Sequence, residues 1–203
     1  MSRGFNEREK QVITNSLIEQ GRILFSKLGF QKTSILEITK NVGIAQGTFY
    51  KFFNSKEELY FVILEMEEEK IKEQFANVDI FKENQPNKAI KSILRQMINT
   101  IETNPLIREL YFGSSMKDML KKLSPELLEK HFKNDATSFL PLIEKLKNKG
   151  FIIEENPEVI AGVARSLFVL TLHQNEIGVA VYQETIELLI DLIVDGLIKV
   201  EGI

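Results

Sequence analysis

Residues 33–53 read TSILEITKNVGIAQGTFYKFF, and this stretch predicts two short helices joined by a turn. Ser34 and Glu37 have the spacing of a capping box, in which each side chain bonds the other residue's backbone amide at the start of a helix. Gly43 falls between two apolar runs, at the place where the chain must turn. The stretch therefore predicts a helix-turn-helix unit with helices over 34–41 and 46–53.

A unit of this kind has two possible roles. Its second helix fits the major groove of DNA, which is wide enough for a helix and presents a distinct edge for every base pair. The same pattern also fits an ordinary helical hairpin that does nothing but pack. The two-helix pattern alone leaves both interpretations open.

The rest of the chain is also predicted to be helical. Asn104-Pro105, Ser124-Pro125 and Asn156-Pro157 each place a capping side chain before a proline, which is the usual beginning of a helix. Gly29 and Gly150 fit helix ends. We expect an all-α fold of about nine helices, at 7–28, 34–41, 46–53, 56–76, 86–103, 105–113, 124–149, 157–174 and 182–200.

Charge is unevenly distributed along the chain. The whole sequence has a net charge of -3, but residues 1–60 hold nine Lys and Arg against six Glu, a net +3, which leaves -6 for the remainder. A basic segment on an acidic chain indicates that only this segment meets a polyanion. We expect two domains: the head, residues 1–55, and the larger body, residues 56–203.

Several function classes find no support in the sequence. It has no cysteine, its two histidines, His131 and His173, are far apart, and it has no phosphate-binding or metal-binding motif. We therefore expect neither an enzyme nor a bound cofactor or metal. Its apolar stretches near 159–172 and 186–200 are interrupted by charges, so we expect no membrane helix and a cytoplasmic protein.

The head resembles the DNA-binding domain of the tetracycline-repressor (TetR) family. The matching residues, in the family's order and spacing, are Leu24-Phe25, Gly29-Phe30, Thr33-Ser34, Ile38, Gly43-Ile44, Gly47-Thr48-Phe49-Tyr50, Phe53 and Ser55-Lys56-Glu57. The resemblance is detailed over about residues 8–60. It implies a one-component transcriptional regulator, most often a repressor, that binds a palindromic DNA operator.

The resemblance also implies which residues contact DNA: Thr33, Gln46, Gly47, Thr48, Tyr50, Lys51 and Lys56. Gln46 and Thr48 can address base edges, and Tyr50 and Lys51 suit phosphates. A glycine within a helix, such as Gly47, is explained either by close approach to DNA or by tight packing on the first helix. Gln46 can equally be a solvated residue, and Thr33 and Lys56 a cap and a surface charge.

Three positions depart from the family pattern. Ala45 replaces the usual serine before the second helix of the unit, which removes a hydroxyl cap and a possible phosphate contact. Thr39 and Val42 replace alanines, so the packing of the two helices is expected to differ. These departures leave the sequence of the operator unpredicted.

The body is expected to bind a small-molecule effector and a second copy of the chain. By resemblance, its helices surround an effector cavity with the candidate liners Met97, Arg108, Tyr111, Met116, Phe139 and His173, each of which also fits plain packing. The last two helices have apolar arcs wider than one core needs, and Ala161, Gly162 and Ala164 allow close helix approach. We expect a homodimer through a four-helix bundle. The alternative is a helical ligand-binding or scaffold protein that has lost specific DNA recognition.

Overall fold

The computed structural model describes residues 5–76, 85–112, 119–129, 139–153 and 155–199, leaving out the side chains of residues 75, 76 and 109–112. Its helices are α1 (Glu7–Leu28), α2 (Ile35–Val42), α3 (Gln46–Phe49), α4 (Lys56–Ala76), α5 (Pro86–Thr103), α6 (Pro105–Phe112), α7 (Leu140–Asn148), α8 (Pro157–Thr171), α9 (Gln174–Ile177) and α10 (Tyr182–Leu197). Residues 125–129 are helical as well. Within these ranges the extended structure is limited to an isolated bridge between Ile152 and Ile198, so the all-α prediction is confirmed.

The predicted helix starts are confirmed by their capping bonds. The Asn104 side chain accepts from the Leu106 amide at 3.0 Å, Ser124 from Leu127 at 3.3 Å and Asn156 from Glu158 at 2.9 Å. The Ser34–Glu37 capping box is complete. These starts were predictable because each bond joins residues two or three apart in sequence.

In the body, one predicted helix is divided in two in the structure, and another is described only in part. The helix expected at 157–174 ends at Thr171, and Gln174–Ile177 forms a separate turn of helix. The helix expected at 124–149 is described only at 125–129 and from Leu140, and residues 130–138 lie outside the described ranges. It ends as predicted near Gly150, which has a φ of 76°, while the Phe151 amide bonds the Leu146 carbonyl at 3.0 Å.

The chain packs as two compact units. The first contains the described residues up to Glu69 and those within Asn104–Leu128, and the second contains the described residues of Lys70–Thr103 and Glu129–Ile203. The break therefore falls within α4, some distance beyond the boundary expected at residue 55. The domain boundary stays a prediction about function, since α1, α2 and α3 all lie in the first unit.

An aromatic core holds the first unit together. The rings of Phe25, Phe30 and Tyr60 lie 5.0–5.8 Å apart, and the Tyr60 hydroxyl donates to the Leu106 carbonyl at 2.7 Å. All three side chains are buried, and burial of an aromatic side chain stabilises a fold by about 1.5–3 kcal/mol. This core joins α1 to α4, while α2 packs on α1 and α3 packs on α2.

The second unit is joined by a ladder of ion pairs between α5 and α10. Lys91 Nζ lies 2.8 Å from Asp195 and 3.1 Å from Asp191, and Arg95 bonds both Asp191 and Glu187. On each helix these residues are four apart, so they share one face. The order of the pairs matches the antiparallel direction of α5 and α10. No helix within the described residues is long and apolar enough to cross a membrane.

Candidate nucleic-acid interface

The turn between α2 and α3 is set by Gly43. Gly43 has a left-handed backbone, with φ 80° and ψ 28°, and the following Ile44 amide bonds the Thr39 carbonyl at 3.0 Å. A left-handed residue is least costly when it is glycine. Thr39 itself is buried, and its hydroxyl donates to the Ile35 carbonyl at 2.9 Å, so this departure from alanine is accommodated inside α2.

Helix α3 begins without a side-chain cap. Ala45 is its N-cap residue, with no side-chain capping bond, as expected from the loss of the serine. The Thr48 amide bonds the Ala45 carbonyl at 2.8 Å, which closes the first turn through the main chain alone. Gln46 and Gly47, which follow the cap, are exposed.

The structure shortens the predicted second helix. The helix expected at 46–53 ends at Phe49, and the chain continues as tight turns in which the Lys51 amide bonds Thr48 and the Phe52 amide bonds Phe49. A new helix starts at Lys56, capped by Ser55, and the chain must leave helical geometry before that cap. Tyr50 and Lys51 therefore project from a turn at the end of α3.

Phe49 decides which face of α3 is free. Its side chain is completely buried, and its ring lies 5.8 Å from that of Phe53, which is also buried. With Phe49 facing the core, Tyr50 is left 55% exposed, and its ring packs edge-on against Phe49 at 5.4 Å. Gln46, Gly47, Tyr50 and Lys51 are exposed and Thr48 is half-buried, so five of the predicted DNA contacts lie together on α3 and its terminal turn.

The two glycines on helices α1 and α3 have opposite surroundings. A Cβ atom added to Gly21 would lie 2.9 Å from Ile63 Cδ1 and 3.1 Å from Leu59 Cδ2, so a side chain at position 21 would have to displace these two residues of α4. A Cβ added to Gly47 would meet no heavy atom within 4 Å. Packing within the chain therefore does not account for Gly47.

Thr33 and Lys56 have partners within the chain. Thr33 is buried, and its hydroxyl donates to the Gly29 carbonyl at 2.9 Å. Lys56 Nζ donates to the carbonyls of Phe30 and Thr33 at 2.8 and 2.9 Å and lies 4.2 Å from the centre of the Phe30 ring. Burial lowers the pKa of Lys56. Both side chains thus hold the turn between α1 and α2, and their contact with phosphate stays a prediction.

One contact at this surface escaped the sequence analysis. Phe5, just before α1, places its ring 6.0 Å from that of Phe52, and Lys51 Nζ lies 5.7 Å from the centre of the Phe5 ring. The sequence could have indicated this contact, because an aromatic residue stands directly before the cap residue Asn6. Its partner could not be named, because the contact spans more than forty residues.

The predicted effector liners do not form one described cluster. Arg108 is exposed and belongs to the first unit, whereas Met97, Phe139 and His173 belong to the second. Met97 is half-buried, Phe139 stacks on Phe168 with ring centres 5.6 Å apart, and His173 is exposed. Met116 and the side chain of Tyr111 lie outside the described residues.

The last long helices leave apolar side chains uncovered. Leu188 and Leu192 on α10 are 59% and 61% exposed, and Val159 and Val169 on α8 are each about half exposed. Leu188 and Leu192 are four residues apart and therefore share one face of α10. Of the small residues on α8, Ala161 is buried in the chain's own core, whereas Gly162 has open space beside it except for the Arg165 side chain.

The described residues thus form a helix-turn-helix unit with an exposed second helix, followed by further helices. The family described as "Bacterial regulatory proteins, tetR family" matches residues 17–63. This match covers the helix-turn-helix unit, and the described fold of the chain is that of solved structures of TetR-family regulators.

Solved structures and curated proteins are similar to the chain over different lengths. A putative TetR-family transcriptional regulator from Mesorhizobium loti superposes with a TM-score of 0.67 at 17% identity, covering 94% of this chain and 98% of that one. The nucleoid occlusion factor SlmA of Haemophilus ducreyi is 27% identical over 110 residues, 54% of this chain and 52% of SlmA. The uncharacterized HTH-type transcriptional regulator YerO of Bacillus subtilis is 43% identical over 54 residues, 27% of this chain and 17% of YerO. The chain thus spans about half the length of the SlmA relatives it matches.

Proposed function

We propose that the chain is a DNA-binding transcriptional repressor that occupies a palindromic operator as a homodimer and leaves it when a small molecule binds. The proposal rests on the exposed face of α3 and its terminal turn. Phe49 is buried on the opposite side, and the exposed residues are Gln46, Gly47, Tyr50 and Lys51. A helix presented in this way fits the major groove. Because α3 has only one helical turn, its few side chains must supply most of the base contacts.

Each exposed residue has a role that suits its chemistry. Gln46 can bond adenine with both its amide atoms, and Thr48 offers a hydroxyl and a methyl group to base edges. Tyr50 and Lys51, at the end of α3, address phosphates on either side of the groove. Gly47 lets the main chain approach the DNA, since no contact inside the protein requires a glycine there.

The exposed apolar face of α8 and α10 supports the dimer. Covering Leu188 and Leu192 with the same residues of a second copy would bury apolar surface on both chains in a two-fold bundle. Two heads related by a two-fold axis would then address half-sites about 34 Å apart, one turn of DNA. The palindrome of the operator follows from this symmetry.

We assign the effector to the second compact unit, with Met97 and Phe139 as the liners that remain at least half-buried there. A small molecule that binds more tightly to the chain off DNA than on DNA must weaken operator binding by the same factor. The role is regulatory and not enzymatic, and it requires a location with the DNA, which for a bacterial protein is the cytoplasm.

Selection of DNA from a random pool tests the proposal. We expect the full chain to enrich a palindrome with two half-sites one turn apart. Lys51→Ala should weaken binding to the enriched duplex. It should also reduce the slope of the logarithm of affinity against the logarithm of salt concentration by about 0.9, the value of one phosphate contact. Lys147→Ala, which removes an exposed lysine from α7, is the matched control. Enrichment of no sequence would contradict the proposal.

The dimer is tested separately. Leu188→Glu places a charge on the exposed face of α10 and should convert a dimer into a monomer in sedimentation experiments. Val12→Glu, at a similarly exposed valine on α1, should leave the dimer intact. A wild-type monomer, or a dimer unaffected by Leu188→Glu, would rule out this interface.

A second candidate function follows from the similarity to SlmA, which extends over 110 residues and therefore beyond the head. The chain would then bind chromosomal DNA as a nucleoid occlusion factor and would not control genes. Mapping of bound chromosomal sites distinguishes the two. Sites at promoters whose transcripts change on deletion support the repressor, and sites without effect on transcripts support the alternative.

A further inference from the structure

A contact at the start of the chain concerns the proposed DNA-binding surface directly. Phe5 is half-buried, and its ring faces two residues of the turn that follows α3: the Phe52 ring at 6.0 Å and Lys51 Nζ at 5.7 Å. An ammonium group within about 6 Å of an aromatic ring centre is attracted to the ring face. Phe5 thus holds a residue to which we assign a phosphate contact.

The backbone of Phe5 is itself held in place. The next residue, Asn6, is the N-cap of α1, and it forms a complete capping box with Glu9, with both bonds at 2.8 Å. The direction in which the chain enters α1 is therefore set by local bonds. Because this helix start is fixed, the side chain of Phe5 is directed to the turn after α3.

Restraint of the side chain before binding favours the contact of a lysine with phosphate. Its long side chain has many rotamers to lose when it is fixed on a phosphate, and a contact that restricts it beforehand removes part of that cost. The ring takes one side of the ammonium group, which has three donors, so donors remain for a phosphate oxygen. The Phe52 contact also restrains the turn that carries Lys51.

We infer that Phe5 is a positioning residue for DNA recognition: it holds Lys51 and the turn after α3 ready for a phosphate. The inference rests on the proposed function and adds the segment before α1 to it. Phe5 acts through Lys51 and Phe52, without a contact of its own to DNA.

The test is a double-mutant cycle on the duplex enriched by the full chain. Phe5→Leu removes the aromatic face and keeps an apolar side chain, and it should weaken binding about two- to fivefold, the effect of an exposed cation–aromatic contact. Phe5→Tyr keeps the ring and should bind like the wild type. In a Lys51→Ala background, Phe5→Leu should have a smaller effect, because only the contact with Phe52 is then left to lose.

The possible results distinguish a failure of the proposed function from a failure of the inference about Phe5. If the wild type enriches no duplex, the proposed function fails and the inference fails with it. If the wild type binds its duplex and Phe5→Leu binds equally well or more tightly, the inference alone is wrong. An equal loss with and without Lys51, together with a lower melting temperature, would assign Phe5 to stability only and would also overturn the inference.

Discussion

Replacement of Gly47 by alanine separates DNA contact from packing. A Cβ atom at this position meets nothing within 4 Å inside the chain, so the substitution should not destabilise the fold. Alanine is favoured over glycine by up to about 1 kcal/mol inside a helix, and α3 is short, so we expect stability to stay level or to rise by less than that. In contrast, a methyl group between the main chain and DNA should cost about 1–3 kcal/mol of binding, the range of one lost base-pair contact. This loss corresponds to about a five- to 140-fold weaker operator affinity.

Gly21→Val is the matched control. The first added carbon alone would lie 2.9 Å from Ile63 and 3.1 Å from Leu59, both buried, and valine adds two more. We choose valine because the helix preference of alanine would mask a small packing cost. Overpacking of a core costs about 1–3 kcal/mol, and each kcal/mol lowers the melting temperature of a chain of this size by about 2–4 °C. The folded fraction should keep its operator affinity.

The assay measures both quantities on the same samples. Thermal unfolding by circular dichroism gives stability, and fluorescence anisotropy with the enriched duplex gives affinity at a temperature where each variant is folded. We expect Gly47→Ala to lower the affinity for DNA and to leave the melting temperature unchanged or slightly raised. We expect Gly21→Val to lower the melting temperature and to leave the affinity unchanged. Wild-type affinity for Gly47→Ala would refute the assignment of Gly47 to a close approach to DNA.

Two further predictions concern stability. Lys56→Met removes the bonds to the carbonyls of Phe30 and Thr33 and should lower the free energy of unfolding by about 1–3 kcal/mol in urea titrations, whereas an unchanged midpoint would exclude this structural role. The hydrogen bond from Lys91 lowers the pKa of Asp195 below its ordinary value of 3.8, so this carboxylate stabilises the fold above about pH 4 and its contribution is lost as the pH falls through the lowered pKa. The difference in melting temperature between wild type and Asp195→Asn should therefore shrink from pH 7 to pH 2.5, and a constant difference would contradict this.

Local sequence signals predicted the fold well. The caps at Asn104, Ser124 and Asn156 and the turn at Gly43 depend on residues within a few positions of each other, and all are found in the structure. The predicted end of α3, at residue 53, was four residues too late, because the buried Phe49 and the cap at Ser55 together determine where the helix ends.

Contacts between distant residues were beyond prediction. The spacing of Lys91 and Arg95 shows a charged face on α5, but nothing in the sequence names its partners about one hundred residues later. Lys56 was predicted as a phosphate contact from the family resemblance, and only the structure shows its bonds to the turn before α2. Of Gly21 and Gly47, only the structure shows which one lies against neighbouring side chains.

The claim that this chain reads DNA with α3 is tested most directly by the salt dependence of its binding to the enriched palindrome and to a scrambled duplex of equal length. We predict a preference for the palindrome of at least about a thousandfold near physiological salt, with the logarithm of each affinity falling linearly with the logarithm of the salt concentration. Equal affinity for the two duplexes across the salt range would show that the chain binds DNA only through charge and would contradict the account.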